Sequence, residues 1–329
     1  MKKISEKKIL VIGAGQLGSR HLQGLLKSVH KQVIYVLDPS KNSLEIAETR
    51  ANEINHSHSV NYVSDWNKLP KEFNLVIVAT GANVREKVVT QLLEDFKVNN
   101  LVLEKILFQD LESYNKVGAL LEKTKTKTWV NHPRRMFPHY QKIKKELFKS
   151  KQEIIFQVVG GNWGLACNSL HFIDLCSFLT GKRVNEIDFD WVDNKIHESK
   201  RKNNIEFTGS VKGTMNDNSC FIITSFDKEV IDVSINISSG SQRWSIQEGK
   251  AQKISYLSKE NNFNEVITNI TTEFQSTLTT TIANNIFKSG ECNLPSYKDA
   301  CASHIPFIEA SIKKYIEITG VNTNICPIT

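Results

Sequence analysis

The sequence predicts an α/β chain: an N-terminal doubly wound parallel sheet, followed by a C-terminal α/β domain built on an open, mainly antiparallel sheet. Three observations point there. The first 130 residues alternate short, wholly apolar runs with longer amphipathic stretches, the mark of strands buried on both faces between helices. A glycine-rich turn, Gly13-Ala14-Gly15-Gln16-Leu17-Gly18, joins the first apolar run to the first helix. Past Pro133 the apolar residues change to period-two alternation, as in a sheet with one covered face.

The elements follow in order. Ile9–Ile12 is a strand of four consecutive aliphatic residues, and Leu17–Lys27 is the helix after the turn. Val33–Leu37 is the second strand and Ser43–Asn52 the second helix. Val60–Val63 and Leu75–Ala79 are strands, Val84–Phe96 is a helix, and Leu101–Leu103 is again a strand. Helix Leu111–Lys123 and strand Thr128–Asn131 complete a first domain over residues 1–130. The second domain, 131–329, opens with helix His139–Lys149, strand Glu153–Val159 and an apolar helix from Asn168 to Leu179. Alternating strands are expected at Glu206–Lys212, Ser219–Ser225, Val230–Ile237 and Gln242–Gln247, then helices at Val266–Lys288 and Lys298–Ile318. The open sheet is expected to support a homo-oligomer.

Composition bounds the function. Of 329 residues, 40% are hydrophobic and 23% charged, an ordinary globular balance with room for two domains. The net charge of +7 is modest. With no helix-turn-helix, zinc-finger or RNA-binding signature, nucleic acid is not the expected partner. Much of the basic excess lies between Lys116 and Lys151, where a solvated helix face is the plainer reading. The six cysteines (Cys167, Cys176, Cys220, Cys292, Cys301, Cys326) form no CxxC pair and no Cys–His cluster, so reduced thiols and no metal site are expected. The basic start, Met1 to Lys8, precedes an apolar run that ends at Gly13, too short for a signal peptide. No apolar stretch approaches membrane-span length, and a cytoplasmic protein is expected.

The turn fits G-x-G-x-x-G in the strand–turn–helix setting that binds a dinucleotide. Gly13 permits the tight turn, Gly15 lets a pyrophosphate reach the backbone, and Gly18 lets helix and strand pack closely. Gln16 and Leu17 then present helix N-terminal amides to the phosphates. Asp38 stands twenty residues after Gly18, at the end of the second strand, placed to accept from the adenosine ribose hydroxyls. A carboxylate there repels a 2′-phosphate, and no arginine follows closely. NAD is therefore favoured over NADP on a Rossmann domain.

Four segments resemble the glucose–fructose oxidoreductase and inositol dehydrogenase (Gfo/Idh/MocA) family. They are the fingerprint continued by Arg20-His21, Leu103-Glu104-Lys105-Ile106, Asn131-His132-Pro133-Arg134-Arg135-Met136-Phe137-Pro138, and His171-Phe172-Ile173-Asp174-Leu175 followed by Leu179-Thr180-Gly181. The resemblance implies that Lys105 and His171 work at the reacting carbon. A histidine suits the proton released when a secondary alcohol is oxidised, and a lysine stabilises the developing alkoxide. Thr80, Gly81, Asn83 and Glu104 are expected on the cofactor side, and Arg134, Asn168 and Asp174 with Lys105 and His171 on the substrate side.

Three positions depart from the family pattern. Ile106 stands where proline follows the lysine, which puts in doubt the cis peptide usual there. Cys167 stands where an aspartate often precedes the histidine by four residues, so the supporting carboxylate is either missing or replaced by Asp174. Arg85 replaces a histidine near the nicotinamide side. The expected activity is hydride transfer between NAD and a sugar, cyclitol or nucleotide-linked sugar. The alternative is a non-catalytic NAD-binding sensor or regulator on the same fold. Arg134, Arg135, Lys142, Lys144 and Lys145 either bind a phosphate or carboxylate or are simply solvated.

Overall fold

The computed structural model describes residues 6–29, 31–228 and 231–329. The chain forms two compact units whose segments interleave along the sequence. The first takes the chain through Phe108, then Glu112–Pro133 and Glu273–Tyr297; the second takes Gln109–Leu111, Arg134–Thr272 and Lys298–Thr329.

In the first unit six strands, β1 (Lys7–Ile12), β2 (Gln32–Leu37), β3 (Ser59–Val63), β4 (Leu75–Val78), β5 (Asn100–Leu103) and β6 (Lys127–Val130), pair in the order β3-β2-β1-β4-β5-β6. Every pairing is parallel. Helices α1 (Gln16–Leu26), α2 (Lys41–Ala51), α3 (Ala82–Asp95) and α4 (Leu111–Thr124) supply the crossovers. The aliphatic runs of β1, β4 and β5 are buried throughout, as strands covered on both faces must be. Strand order reverses between β1 and β4, so the loops after these two strands open a crevice at the carboxyl edge of the sheet.

In the second unit, after α5 (Pro138–Ser150), come β7 (Ile155–Gly161) and α6 (Leu165–Thr180). The strands β8 (Val184–Asp188), β9 (Gly209–Met215), β10 (Cys220–Phe226), β11 (Ser234–Ser238), β12 (Gln242–Gln247), β13 (Lys253–Ser258) and β14 (Val266–Asn269) follow. The eight-stranded sheet runs β8-β9-β10-β7-β11-β12-β13-β14, antiparallel except for β10 beside β7. Alternation is clean: Phe156, Val158, Phe221, Ile223, Ile235 and Ile237 are fully buried on one face, while Ile155 and Val159 are exposed on the other. α6 packs on the buried face against β9 and β10. The chain ends with α7 (Gln275–Ser289) and α8 (Tyr297–Thr319).

Several boundaries differ from the sequence reading. The helix expected over Val266–Lys288 begins only at Gln275, because Val266–Asn269 is the edge strand β14 paired with β13. Val266-Ile267-Thr268 is a β-branched run, stiff at χ1 and better suited to a pleated strand. α6 starts at Leu165, three residues before the expected Asn168. Strands β8 and β13 were not part of the sequence reading. Of the strand expected over Val230–Ile237, Val230 lies outside the described residues, and β11 spans Ser234–Ser238. Among the described residues no helix is long and apolar enough to cross a membrane, and no group of three or more His, Cys, Asp or Glu could hold a metal ion.

Candidate functional site

The glycine-rich turn lies at the β1/β4 crevice. Gly13 takes φ +93°, and its N–H donates to Leu37 O at 2.9 Å, tying the turn to the end of β2. A Cβ on Gly18 would stand 1.7 Å from Gly13 O, so only glycine lets α1 start this close to the strand. Gly15 has the opposite surroundings: it is exposed, and a Cβ there would meet nothing within 4 Å. No side chain caps α1, so the amides at Gln16 and Leu17 face the crevice mouth without a side-chain acceptor. Arg50 of α2 donates to Gln16 Oε1 at 2.7 Å and to Ser19 Oγ at 2.6 Å, bringing a positive charge to the same helix end. Nothing in the sequence pattern marked Arg50, because its proximity depends on how α2 crosses α1.

Asp38 sits at the end of β2. Its carboxylate accepts from Ala14 N–H at 2.7 Å and Ser40 N–H at 2.8 Å, so it braces the glycine turn as well as facing the crevice. Thr80 and Gly81 follow β4, and Gly81 is the N-cap position of α3, with no side-chain cap, and Asn83 is exposed in the first turn. Thr80 Oγ1 is buried with no hydrogen-bond partner among the described residues. Arg85, in α3, is buried and donates to three backbone carbonyls: Thr80 O, Ile106 O and, at 3.0 Å, Leu107 O. It thus staples the loop after β4 to the loop after β5.

Glu104 and Lys105 follow β5 directly, both buried, and the Lys105–Ile106 peptide is cis although no proline is present. Glu104 Oε1 accepts from His21 Nε2 at 2.8 Å and from Asn131 Nδ2 at 2.5 Å. Burial pushes the Glu104 carboxyl toward neutrality. The hydrogen bond and charge of His21, with help from Asn131 and Arg85, outweigh it and hold the group below the ordinary carboxylate range. Glu104 therefore lies in a hydrogen-bonded interior beside the lysine.

An open glycine, an uncapped helix start, a carboxylate at the second strand end and a buried, unpartnered Thr80 hydroxyl fit a dinucleotide at this crevice. Gly15–Leu17 would hold the pyrophosphate and Asp38 the ribose.

In the second unit, Cys167, Asn168 and His171 lie on one stripe of α6, at i, i+1 and i+4. Asn168 Nδ2 donates to Trp163 O at 2.7 Å. The N-terminus of α6 is closed by Glu206, whose carboxylate accepts from Ala166 N–H at 2.8 Å and Cys167 N–H at 3.2 Å. Beside it opens a polar cavity of about 560 Å³, with Trp163, Cys167, Asn168, His197, Ser225 and Asp227 among its walls. Ser225 Oγ is buried there with no hydrogen-bond partner among the described residues.

Two other expected substrate residues are engaged within the unit. Arg134 grips the Glu248 carboxylate through Nε and Nη2 at 2.8–3.2 Å and lies 4.3 Å over the Phe172 ring, while Tyr140 donates to the same carboxylate at 2.6 Å. Arg135 forks both oxygens of Asp174 at 2.7 Å. Burial nevertheless lifts the Asp174 pKa against the pull of Arg135. The partners Glu248 and Arg135 come from distant parts of the chain, which is why spacing gave no sign of them.

Residues 7–132 match the model of the Gfo/Idh/MocA oxidoreductase family, NAD-binding Rossmann fold. No curated protein sequence matches the chain. Solved structures share the fold over nearly the full length at low identity. A putative NADPH-dependent oxidoreductase from Desulfitobacterium hafniense has 13% identity and a TM-score of 0.74, covering 95% of this chain and 96% of its own. UDP-N-acetylglucosamine 3-dehydrogenase from Acidithiobacillus ferrooxidans has 14% identity and a TM-score of 0.69, with 96% and 98% covered. The transcriptional regulator Gal80p from Kluyveromyces lactis has 15% identity and a TM-score of 0.71, with 95% and 93% covered.

Proposed function

We propose that the chain, whose residues 7–132 match the model of the Gfo/Idh/MocA oxidoreductase family, NAD-binding Rossmann fold, is an NAD-dependent dehydrogenase of CH–OH groups. Its substrate in this reading is a sugar, cyclitol or nucleotide-linked sugar. The observation that carries the proposal is the crevice itself: an open Gly15 before an uncapped helix, with Asp38 at the end of the next strand. Asp38 favours NAD over NADP by repelling a 2′-phosphate. The polar, Trp-walled cavity beside Asn168 supports a polyhydroxylated substrate.

In this reading the first unit holds the dinucleotide, and the second unit binds substrate and forms the oligomer. The bound nicotinamide supplies the hydride acceptor. His171 receives the hydroxyl proton as general base. Lys105 stabilises the developing alkoxide and orients the oxygen. Thr80, Gly81 and Asn83 line the nicotinamide side, and Asn168 binds a substrate hydroxyl. The exposed Ile155 and Val159 face of the sheet would join copies of the chain, and the six free cysteines agree with a cytoplasmic setting.

A non-catalytic NAD-binding regulator is the second reading. It is favoured by the thiol of Cys167 in place of a carboxylate and by the commitment of Asp174 to Arg135. A panel of sugars, cyclitols and nucleotide sugars with NAD and NADP, followed at the nicotinamide absorbance band, separates the two. Turnover of any member above the cofactor-only rate supports the enzyme; tight NAD(H) binding with no turnover across the panel supports the regulator.

A further inference from the structure

Behind Lys105 lies a closed ring of five buried or half-buried polar side chains. His21 Nε2 meets Glu104 Oε1 at 2.8 Å, and His21 Nδ1 meets Thr279 Oγ1 at 2.8 Å. Gln275 Nε2 donates to Thr279 Oγ1 at 3.2 Å, and Asn131 Nδ2 donates to Gln275 Oε1 at 3.0 Å. Asn131 Nδ2 also donates to Glu104 Oε1, which closes the ring. Thr279 Oγ1 also donates to Gln275 O at 2.8 Å, and the Glu104 carboxylate is the acceptor facing His21 Nε2. His21, Thr279 and Glu104 are almost wholly shielded from solvent.

The members come from separate elements. His21 lies in α1, little more than one turn after the amides that would take the pyrophosphate. Glu104 directly follows β5 and immediately precedes Lys105. Asn131 follows β6, its N–H donating to Leu103 O at 2.8 Å, and Gln275 and Thr279 belong to α7. A buried carboxylate that loses a donor either takes up a proton or moves toward water, and here any movement of Glu104 drags the adjoining Lys105 backbone.

We propose that His21 is a positioning residue: it fixes the strand end that presents Lys105 in register with the helix that receives the cofactor. The proposal rests on the reading of Lys105 as a working residue of the site. It adds that the cofactor-binding helix and the lysine's mount are one hydrogen-bonded unit, with the His21–Glu104 contact as its link.

The test needs no substrate. The full-length chain, with and without NADH, is treated with trace acetic anhydride, and modification of Lys105 is measured by peptide mass spectrometry relative to exposed Lys41. In His21→Ala the Lys105/Lys41 ratio should rise at least fivefold, with NADH affinity changed less than threefold. His21→Gln, which keeps a donor toward Glu104, should stay within twofold of the unmodified chain. If His21→Ala does not give a cooperatively melting protein, Asn131→Ala, which removes the other donor to Glu104, is read in the same way. An unchanged ratio in the folded variant, a uniform rise over all buried lysines, or a failure of His21→Gln to restore the ratio would each overturn the proposal. Failure of the underlying catalytic reading looks different: Lys105→Ala would keep full turnover while the labelling ratio still responded to His21.

Discussion

Gly15→Ala separates cofactor contact from folding more sharply than any other single change at the crevice. Gly15 has φ −65°, which alanine adopts freely, and a Cβ there meets nothing within 4 Å. Alanine is a poorer helix N-cap than glycine, but it also reduces the freedom of the unfolded chain, so stability should change by less than about 1 kcal/mol. A bound pyrophosphate changes the picture, because the added methyl would occupy the space through which the phosphate approaches. Overpacking of that kind costs about 1–3 kcal/mol, or roughly a 5- to 150-fold rise in the NADH dissociation constant. Gly18→Ala is the matching control. Its Cβ collides with Gly13 O at 1.7 Å, backbone against backbone, so α1 and the turn must part and both stability and affinity should fall. Thermal unfolding and NADH fluorescence titration on the two variants decide the matter. Wild-type NADH affinity in Gly15→Ala, or a stability loss matching that of Gly18→Ala, would refute the placement of the pyrophosphate over Gly15.

Asp38→Ala should weaken NAD(H) binding and narrow its margin over NADP(H), measured by calorimetric titration; tighter NADP(H) binding to the unmodified chain would overturn the cofactor preference. Lys105→Ala and His171→Ala should each lower turnover by about a hundredfold or more with NADH affinity nearly intact, and full turnover in both would remove them from the chemistry. Glu248 is buried, yet the charge and hydrogen bonds of Arg134, with the Tyr140 hydroxyl, hold its carboxyl below the ordinary value of 4.5. Its contribution to stability is therefore present above that pH and lost as the pH falls through the depressed folded value. Glu248→Gln should lower the melting temperature at neutral pH, since breaking a buried pair costs about 3–5 kcal/mol, and should flatten the acid-side decline; an unchanged acid profile would contradict this.

The first unit was legible because its signals are local. Four consecutive aliphatic residues before Gly13 make a strand buried on both faces, and G-x-G-x-x-G needs only its own backbone to define the turn. Asp38 could be placed by counting from Gly18. In the second unit the sheet was visible as alternation in β10 and β12, whereas β8 is short and half polar, and the brief Ile254/Tyr256 alternation of β13 went unread. The roles of Arg134 and Asp174 could not be read from spacing, because their partners Glu248 and Arg135 are 114 and 39 residues away. Glu104 illustrates the same limit. Its place in the Glu-Lys motif was plain, but the donors that surround it come from α1 and from the end of β6, and only the fold brings them together.

The return of α7 to the first unit bears on the order in which the protein is made. Gly24 of α1 lies so close to α7 that a Cβ there would stand 2.3 Å from Ser276 O, and the ring around Glu104 draws Gln275 and Thr279 from the same helix. A nascent chain that has emerged only as far as Pro133 therefore has every strand of its parallel sheet but an unsealed flank on α1. At about 5–20 residues per second, roughly eight to thirty seconds of synthesis separate that moment from the arrival of Ser289. During that interval the ribosome-bound N-terminal part is a candidate client for chaperones, and a fragment cut at the apparent domain boundary would inherit the same bare flank for good.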